Sequence, residues 1–99
     1  MEIRIQDVHF DSTDALKGFI EKKVSKLDQY YDGILAAEVT LKVVKPETAA
    51  NKEAGVRLSV AGQDLFASKT SDTFEESVDD CVEALQRQLK KFKEKLRDK

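Results

Sequence analysis

Seven apolar residues, Phe74, Val78, Val82, Leu85, Leu89, Phe92 and Leu96, recur at three- and four-residue steps through the last quarter of the chain. At 3.6 residues per turn they share one face of a helix about 35 Å long. Such a stripe has to be covered by an apolar surface of comparable length, and 99 residues leave room for a single two-layer core. The helix has a defined start, because Thr73 and Glu76 stand at capping-box spacing.

The covering surface is legible in the segments with period two. Ile3 and Ile5 alternate with Arg4 and Gln6, a first strand that bends or ends near Asp7, where Val8 and Phe10 break the phase. Ala37, Val39, Leu41 and Val43 form a second alternating set, Val56, Leu58 and Val60 a third, and Leu65 with Ala67 a fourth. Between the first two sets the period changes. Leu16, Phe19, Ile20, Val24, Leu27 and Tyr31 describe an amphipathic helix, capped by Ser12 or Thr13 and weakened at Gly18 by roughly 1 kcal/mol relative to Ala. The segment YYDG ends it, with Gly33 as a left-handed stop. The link KPETAANKEAG is expected to be a mobile hairpin loop, and residues 61–64 a tight turn.

The expected fold class is therefore α+β, in the order β-α-β-β-β-α. One apolar face per strand and two amphipathic helices imply a four-stranded sheet with both helices packed on one face. A right-handed crossover makes the first two strands parallel. Residues 1–99 are read as one domain, with no repeat and no low-complexity tract.

No apolar run approaches the ~20 residues that span a bilayer, and MEIRIQ lacks signal-peptide character. With one cysteine there is no internal disulfide, and the expected compartment is the reducing cytoplasm. The inventory for catalysis is thin. His9 and Cys81 are the only residues of their kinds, Cys81 lies on the apolar side of the last helix, and no metal-ligand spacing, phosphate loop or nucleophile elbow is present. No enzyme and no cofactor are expected.

Charge carries more information. The chain has a net charge of −2, yet residues 85–99 hold seven basic and two acidic residues, a local sum of +5 against −7 elsewhere. Acids at a helix start and bases at its end complement the macrodipole, but that effect covers one turn at each end. Here Arg87, Lys90, Lys91, Lys93, Lys95 and Arg97 persist over three turns. On the first helix, Lys22, Lys23 and Lys26 fall on one flank, at about 240° to 340° from Leu16, and Asp14, Glu21 and Asp28 on the other. An anionic partner accounts for this sorting. Phosphates of a nucleic acid suit lysine's mobile point charge, and an acidic protein partner, met by an interaction module, is the alternative. The outer sheet face would show Arg4, Gln6, Thr40, Lys42, Arg57, Ser59 and Phe66, where an exposed aromatic can stack a base.

The run ALKGFIEKKVSKLDQYYD (residues 15–32) resembles the first helix of the ribosome hibernation promoting factor family, which includes the inhibitor called protein Y and was once described as sigma-54 modulation protein. The tail RQLKKFKEKL (residues 87–96) is similar to that family's closing basic helix, and VTLKV and LSVAGQDLFAS fit its core strands. The start of the last helix departs, reading TFE where relatives often have aspartate, methionine and tyrosine. The resemblance spans essentially the whole chain and implies a double-stranded-RNA-binding-domain-like fold. It further implies binding to the small ribosomal subunit and its rRNA, in the channel for messenger and transfer RNA, with translation blocked and idle ribosomes preserved in stationary or starved cells. By motif, Lys23, Lys26, Arg87, Lys91, Lys93 and Lys95 are the implied contacts to rRNA phosphates; Lys22 and Lys90 join them on the charge sorting alone. The chain looks like a short form, expected to be monomeric off the ribosome, and short forms can depend on a separate ribosome-pairing factor.

Overall fold

The computed structural model describes residues 1–8, 10–44 and 50–97. Strand β1 (Glu2–Val8) leads through helix α1 (Asp14–Ser25) and a 3₁₀ turn (Lys26–Gln29) to β2 (Ala36–Val43), β3 (Lys52–Val60), β4 (Gln63–Ser71) and helix α2 (Phe74–Arg97). The order is the expected β-α-β-β-β-α. The sheet runs β1-β2-β3-β4, with β1 parallel to β2 and the other pairs antiparallel.

One face of this sheet is apolar because the inward positions alternate. Ala37, Val39 and Leu41 of β2, Ala54, Val56, Leu58 and Val60 of β3, and Leu65 and Ala67 of β4 are all buried. Both helices cover that face. Ile20, Val24 and Leu27 come from the first helical segment, and Phe74, Val78, Cys81, Val82, Leu85, Leu89 and Phe92 from α2. Leu58, Leu85 and Leu89 are fully enclosed, so truncating any of them to alanine costs about 2–5 kcal/mol. Beyond Phe92 the stripe loses its cover, and Leu96 is 47% exposed.

The helix starts are fixed by side chains. Thr13, not Ser12, caps α1, its Oγ1 accepting from Leu16 N–H at 3.1 Å. Ser12 instead donates its N–H and hydroxyl to Asp7 Oδ2, both at 2.8 Å, closing the turn after β1. Thr73 Oγ1 accepts from Glu76 N–H at 3.1 Å. One turn in, buried Ser77 donates to the Lys52 carbonyl at 2.6 Å, fastening α2 to the start of β3. Phe10, out of phase with β1, stacks on Phe74 at 4.7 Å. The TFE departure thus places an aromatic in the core rather than on the surface.

Two boundaries differ from the sequence reading. Gly33 does not adopt a left-handed conformation; α1 tightens into the 3₁₀ turn, which ends at Gln29, four residues earlier, and the glycine serves a close approach. A Cβ there would lie 2.6 Å from the Tyr31 ring, which packs edge-on against Phe92 at 5.3 Å. The link after β2 is also shorter than expected, because β3 begins at Lys52 and Lys52–Gly55 pair with β2; residues 45–49 of that link lie outside the described residues. The β3–β4 turn spans Ala61 and Gly62, with Gly62 at φ +87°. Among the described residues no helix is long and apolar enough to cross a membrane.

Two alanine substitutions should shift stability in opposite directions. Gly62→Ala forces a Cβ into the left-handed region and should lose about 1 kcal/mol in urea unfolding. Gly18→Ala, on an exposed helical position with nothing within 4 Å of the new Cβ, should gain roughly 0.5–1 kcal/mol.

Candidate nucleic-acid interface

Helical geometry divides the basic residues of α2 between two flanks. Measured from Phe74 at 100° per residue, Lys93, Lys90 and Arg87 fall at about 100°, 160° and 220°, whereas Lys91 and Lys95 fall at about 260° and 300°. Two contacts fix what each flank faces. Asp79, at about 140°, pairs with Lys23 of α1 at 3.2 Å, so the first flank borders the valley between the helices. Gln88, at about 320°, donates to the Phe66 carbonyl at 2.9 Å, so the second overhangs the β4 edge.

In the valley, α2 and the 3₁₀ turn enclose a hollow of about 460 Å³, lined by Gln29, Tyr30, Gln86, Arg87, Lys90 and Lys93. Among the described residues Glu94 is the one acid in its wall. Lys93 also borders a second hollow with Asp28, Tyr31 and Asp32. Among the described residues Arg87, Lys90 and Lys93 form no ion pair and are exposed. Lys91 and Lys95 are likewise exposed, on the outer flank. The Arg97 backbone closes α2.

The three lysines of the first helical segment have separate surroundings. Lys23 is 30% exposed, held between Asp79 and the Phe19 ring, 5.6 Å from its centroid. Lys22 is exposed and lines a shallow hollow with Met1, Ile3 and Glu21 on the β1 side. Lys26 is exposed where α1 passes into the 3₁₀ turn. The structure therefore gathers Arg87, Lys90 and Lys93 around one hollow and leaves Lys22, Lys26, Lys91 and Lys95 as separate exposed charges.

On the outer sheet face, Arg4, Gln6, Thr40, Lys42, Arg57 and Phe66 are exposed and Ser59 is half-buried. Phe66, 52% exposed, leans over Gly55, whose missing Cβ would sit 3.3 Å from the ring, while the Arg57 guanidinium lies 5.7 Å from its centroid. The ring is thus partly occupied by its own neighbours. Tyr30 is the aromatic that the periodicity left unexplained. The signal for it was available, since the adjacent Tyr31 already fills the core position and leaves Tyr30 turned outward, 41% exposed.

Cys81 is fully buried, its thiol donating to the Ala54 carbonyl at 3.3 Å. Burial pushes the thiol up from its ordinary 9.0 to about 11. His9 lies outside the described residues. Among the described residues no group of three or more His, Cys, Asp or Glu is placed to hold a metal ion.

A four-stranded mixed sheet with two helices on one face is an architecture that this chain shares with solved structures. The structure of a ribosomal subunit interface protein from Coxiella burnetii matches with a TM-score of 0.84 and 25% identity, covering 94% of this chain and 98% of that one. That of the Thermus thermophilus protein Y N-terminal domain matches at 0.81 and 27%, covering 93% and 99%. In sequence, the ribosome hibernation promoting factor of Escherichia coli (strain K12) is 33% identical over 97 residues, 98% of each chain. The family described as sigma 54 modulation protein / S30EA ribosomal protein matches residues 3–97, and the chain belongs to it.

Two measurements test the local electrostatics. Heparin retention should fall more for Lys90→Ala than for Lys23→Ala, although each removes one formal charge, because the Lys23 ammonium is already paired with Asp79. For Cys81, the folded pKa is raised above the unfolded value, so its contribution to stability is complete below about pH 9 and is lost as pH rises through about 11. Urea midpoints should decline over that window more steeply for the wild type than for Cys81→Ala, and a thiol reagent at pH 8 should label Cys81 only after unfolding.

Proposed function

We propose that this protein is a non-enzymatic ribosome hibernation factor. It binds the small ribosomal subunit in the channel for messenger and transfer RNA, inhibits translation, and preserves idle ribosomes in the cytoplasm under stress or in stationary phase. The observation that carries this reading is the set of exposed cations Arg87, Lys90, Lys91, Lys93 and Lys95 on α2, which form no ion pair among the described residues, in a chain whose relatives bear the names ribosome hibernation promoting factor and ribosomal subunit interface protein. Arg87, Lys90, Lys91, Lys93 and Lys95 meet rRNA phosphates, with Lys22 and Lys26 as outlying contacts. Lys23 is a weaker phosphate contact, its ammonium being shared with Asp79. Residues 1–99 act as one ribosome-binding unit, monomeric in free solution. A separate ribosome-pairing factor is a further candidate partner.

Phosphate contact makes the affinity a function of salt, because each neutralised phosphate releases condensed counterions. With about five such contacts, binding should weaken by roughly 100- to 500-fold between 50 and 200 mM salt. Purified protein should sediment with isolated small subunits at low salt and be released as salt rises. A Lys91→Glu/Lys93→Glu variant should stay in the supernatant while melting at the wild-type temperature. Unchanged sedimentation of that variant would remove the proposed surface. Failure of the folded wild type to sediment at all would transfer the cations to an acidic protein partner, whose complex resists nuclease.

A further inference from the structure

The hollow between the 3₁₀ turn and α2 holds more chemistry than a phosphate clamp requires. A polyanion without bases needs only the cations. Here Arg87, Lys90 and Lys93 share the wall with a half-exposed tyrosine ring, two side-chain amides and a carboxylate. Among the described residues Tyr30 takes part in no ring contact, and Gln29 and Gln86 make no side-chain hydrogen bond. These groups are therefore not committed to holding the fold. The volume, about 460 Å³, lies within the range of small-molecule sites, roughly 300–1,000 Å³.

We infer that this hollow is a subsite for one unstacked nucleotide of a single-stranded RNA segment. The inference rests on the RNA-binding reading above and adds what the strand presents there. The base lies against the Tyr30 ring, a stacking surface that accepts any base. Its edge meets the Gln29 and Gln86 amides, each able to donate and accept. Glu94 accepts from a base amino or imino group, a role a phosphate-only site would not need. The flanking phosphates fall to Arg87, Lys90 and Lys93. A strand, rather than a free nucleotide, fits because exposed cations also stand outside the hollow, Lys26 where α1 meets the 3₁₀ turn and Lys91 and Lys95 across α2 on its β4 flank, where neighbouring phosphates of a continuous strand can reach them. Duplex RNA does not fit, since its bases are stacked and its edges paired.

The chain has two tyrosines and no tryptophan, which gives the subsite its own optical reporter. Tyr31→Phe keeps the ring that packs on Phe92 and leaves Tyr30 as the sole tyrosine. In that background, a short single-stranded oligoribonucleotide should quench Tyr30 fluorescence. Inorganic polyphosphate of matched charge should bind without quenching, and a nucleoside monophosphate at the same concentration should do neither. Tyr30→Ala should weaken oligoribonucleotide binding by roughly 5- to 100-fold and leave polyphosphate binding unchanged, whereas Tyr30→Phe should retain RNA affinity. RNA binding indifferent to Tyr30→Ala, with no quenching, while Lys91→Glu/Lys93→Glu still weakens it, overturns the subsite and keeps the charged surface. Quenching by the monophosphate as effective as by the strand overturns the strand assignment in favour of a free nucleotide. Loss of all RNA and ribosome binding in the folded wild type overturns both readings together.

Discussion

The seating of α2 on the inner face of β3 and β4 is the contact on which the remaining geometry depends. Val78, Cys81, Leu85 and Leu89 meet a surface made by Ala54, Val56, Leu58, Leu65 and Ala67, all buried. Small residues at Ala54 and Ala67 let the helix lie close, near enough for the Cys81 thiol to reach the Ala54 carbonyl. Ser77, bonded to Lys52 O, fixes the helix along its axis, and Gln88, bonded to Phe66 O, fixes its rotation at the β4 edge. With both degrees of freedom set, Arg87, Lys90, Lys91, Lys93 and Lys95 each leave the helix in an assigned direction. A rotation of one residue, about 100°, would carry Lys90 out of the valley and turn Leu89 toward solvent.

The same seating explains why α1 is held less tightly. It lies over the β1–β2 half, with Ile20, Val24 and Leu27 buried, and touches α2 through the Lys23–Asp79 pair. An ion pair this exposed adds little stability; it bridges the two helices at the rim of the valley, while the shared apolar core holds them apart. The Asp7–Ser12 turn and the Phe10–Phe74 stack tie the entry of α1 to the start of α2. The valley walls are thus positioned at one end by apolar packing and polar turns, and at the other by Tyr31 against Phe92.

Much of this was readable from residue order alone. Period-two and period-3.6 patterning gave the element order, the parallel first pair and the shared helix face, because each strand hides a single face and each helix a single stripe. The family resemblance carried by residues 15–32 and 87–96 agrees with the match over residues 3–97. What periodicity could not resolve was contact between elements. Gly33 reads as a stop by composition, but its role is to admit the Tyr31 ring, a packing fact with no local signature. Lys52–Gly55 read as loop because lysine, glutamate and glycine are poor strand formers, yet pairing with β2 overrides that preference. Lys22 and Lys23, adjacent in sequence, separate toward β1 and α2, and only the fold decides which charge is spent on a neighbour.

The long closing helix gives the whole molecule an electrical polarity. Its first half carries Glu75, Glu76, Asp79, Asp80 and Glu83, its last three turns the basic residues, and the protein is 50 Å long by 23 and 18 Å across. In the field of a large polyanion such a body experiences a torque before it experiences contact, turning the basic end inward and the acidic end away. Broadside approach to such a polyanion would be opposed by the net negative charge, which favours end-on encounters. If the partner is the polyanion proposed above, an overall acidic chain would thereby avoid indiscriminate adhesion to nucleic acid and still reach a confined anionic site with its basic end first.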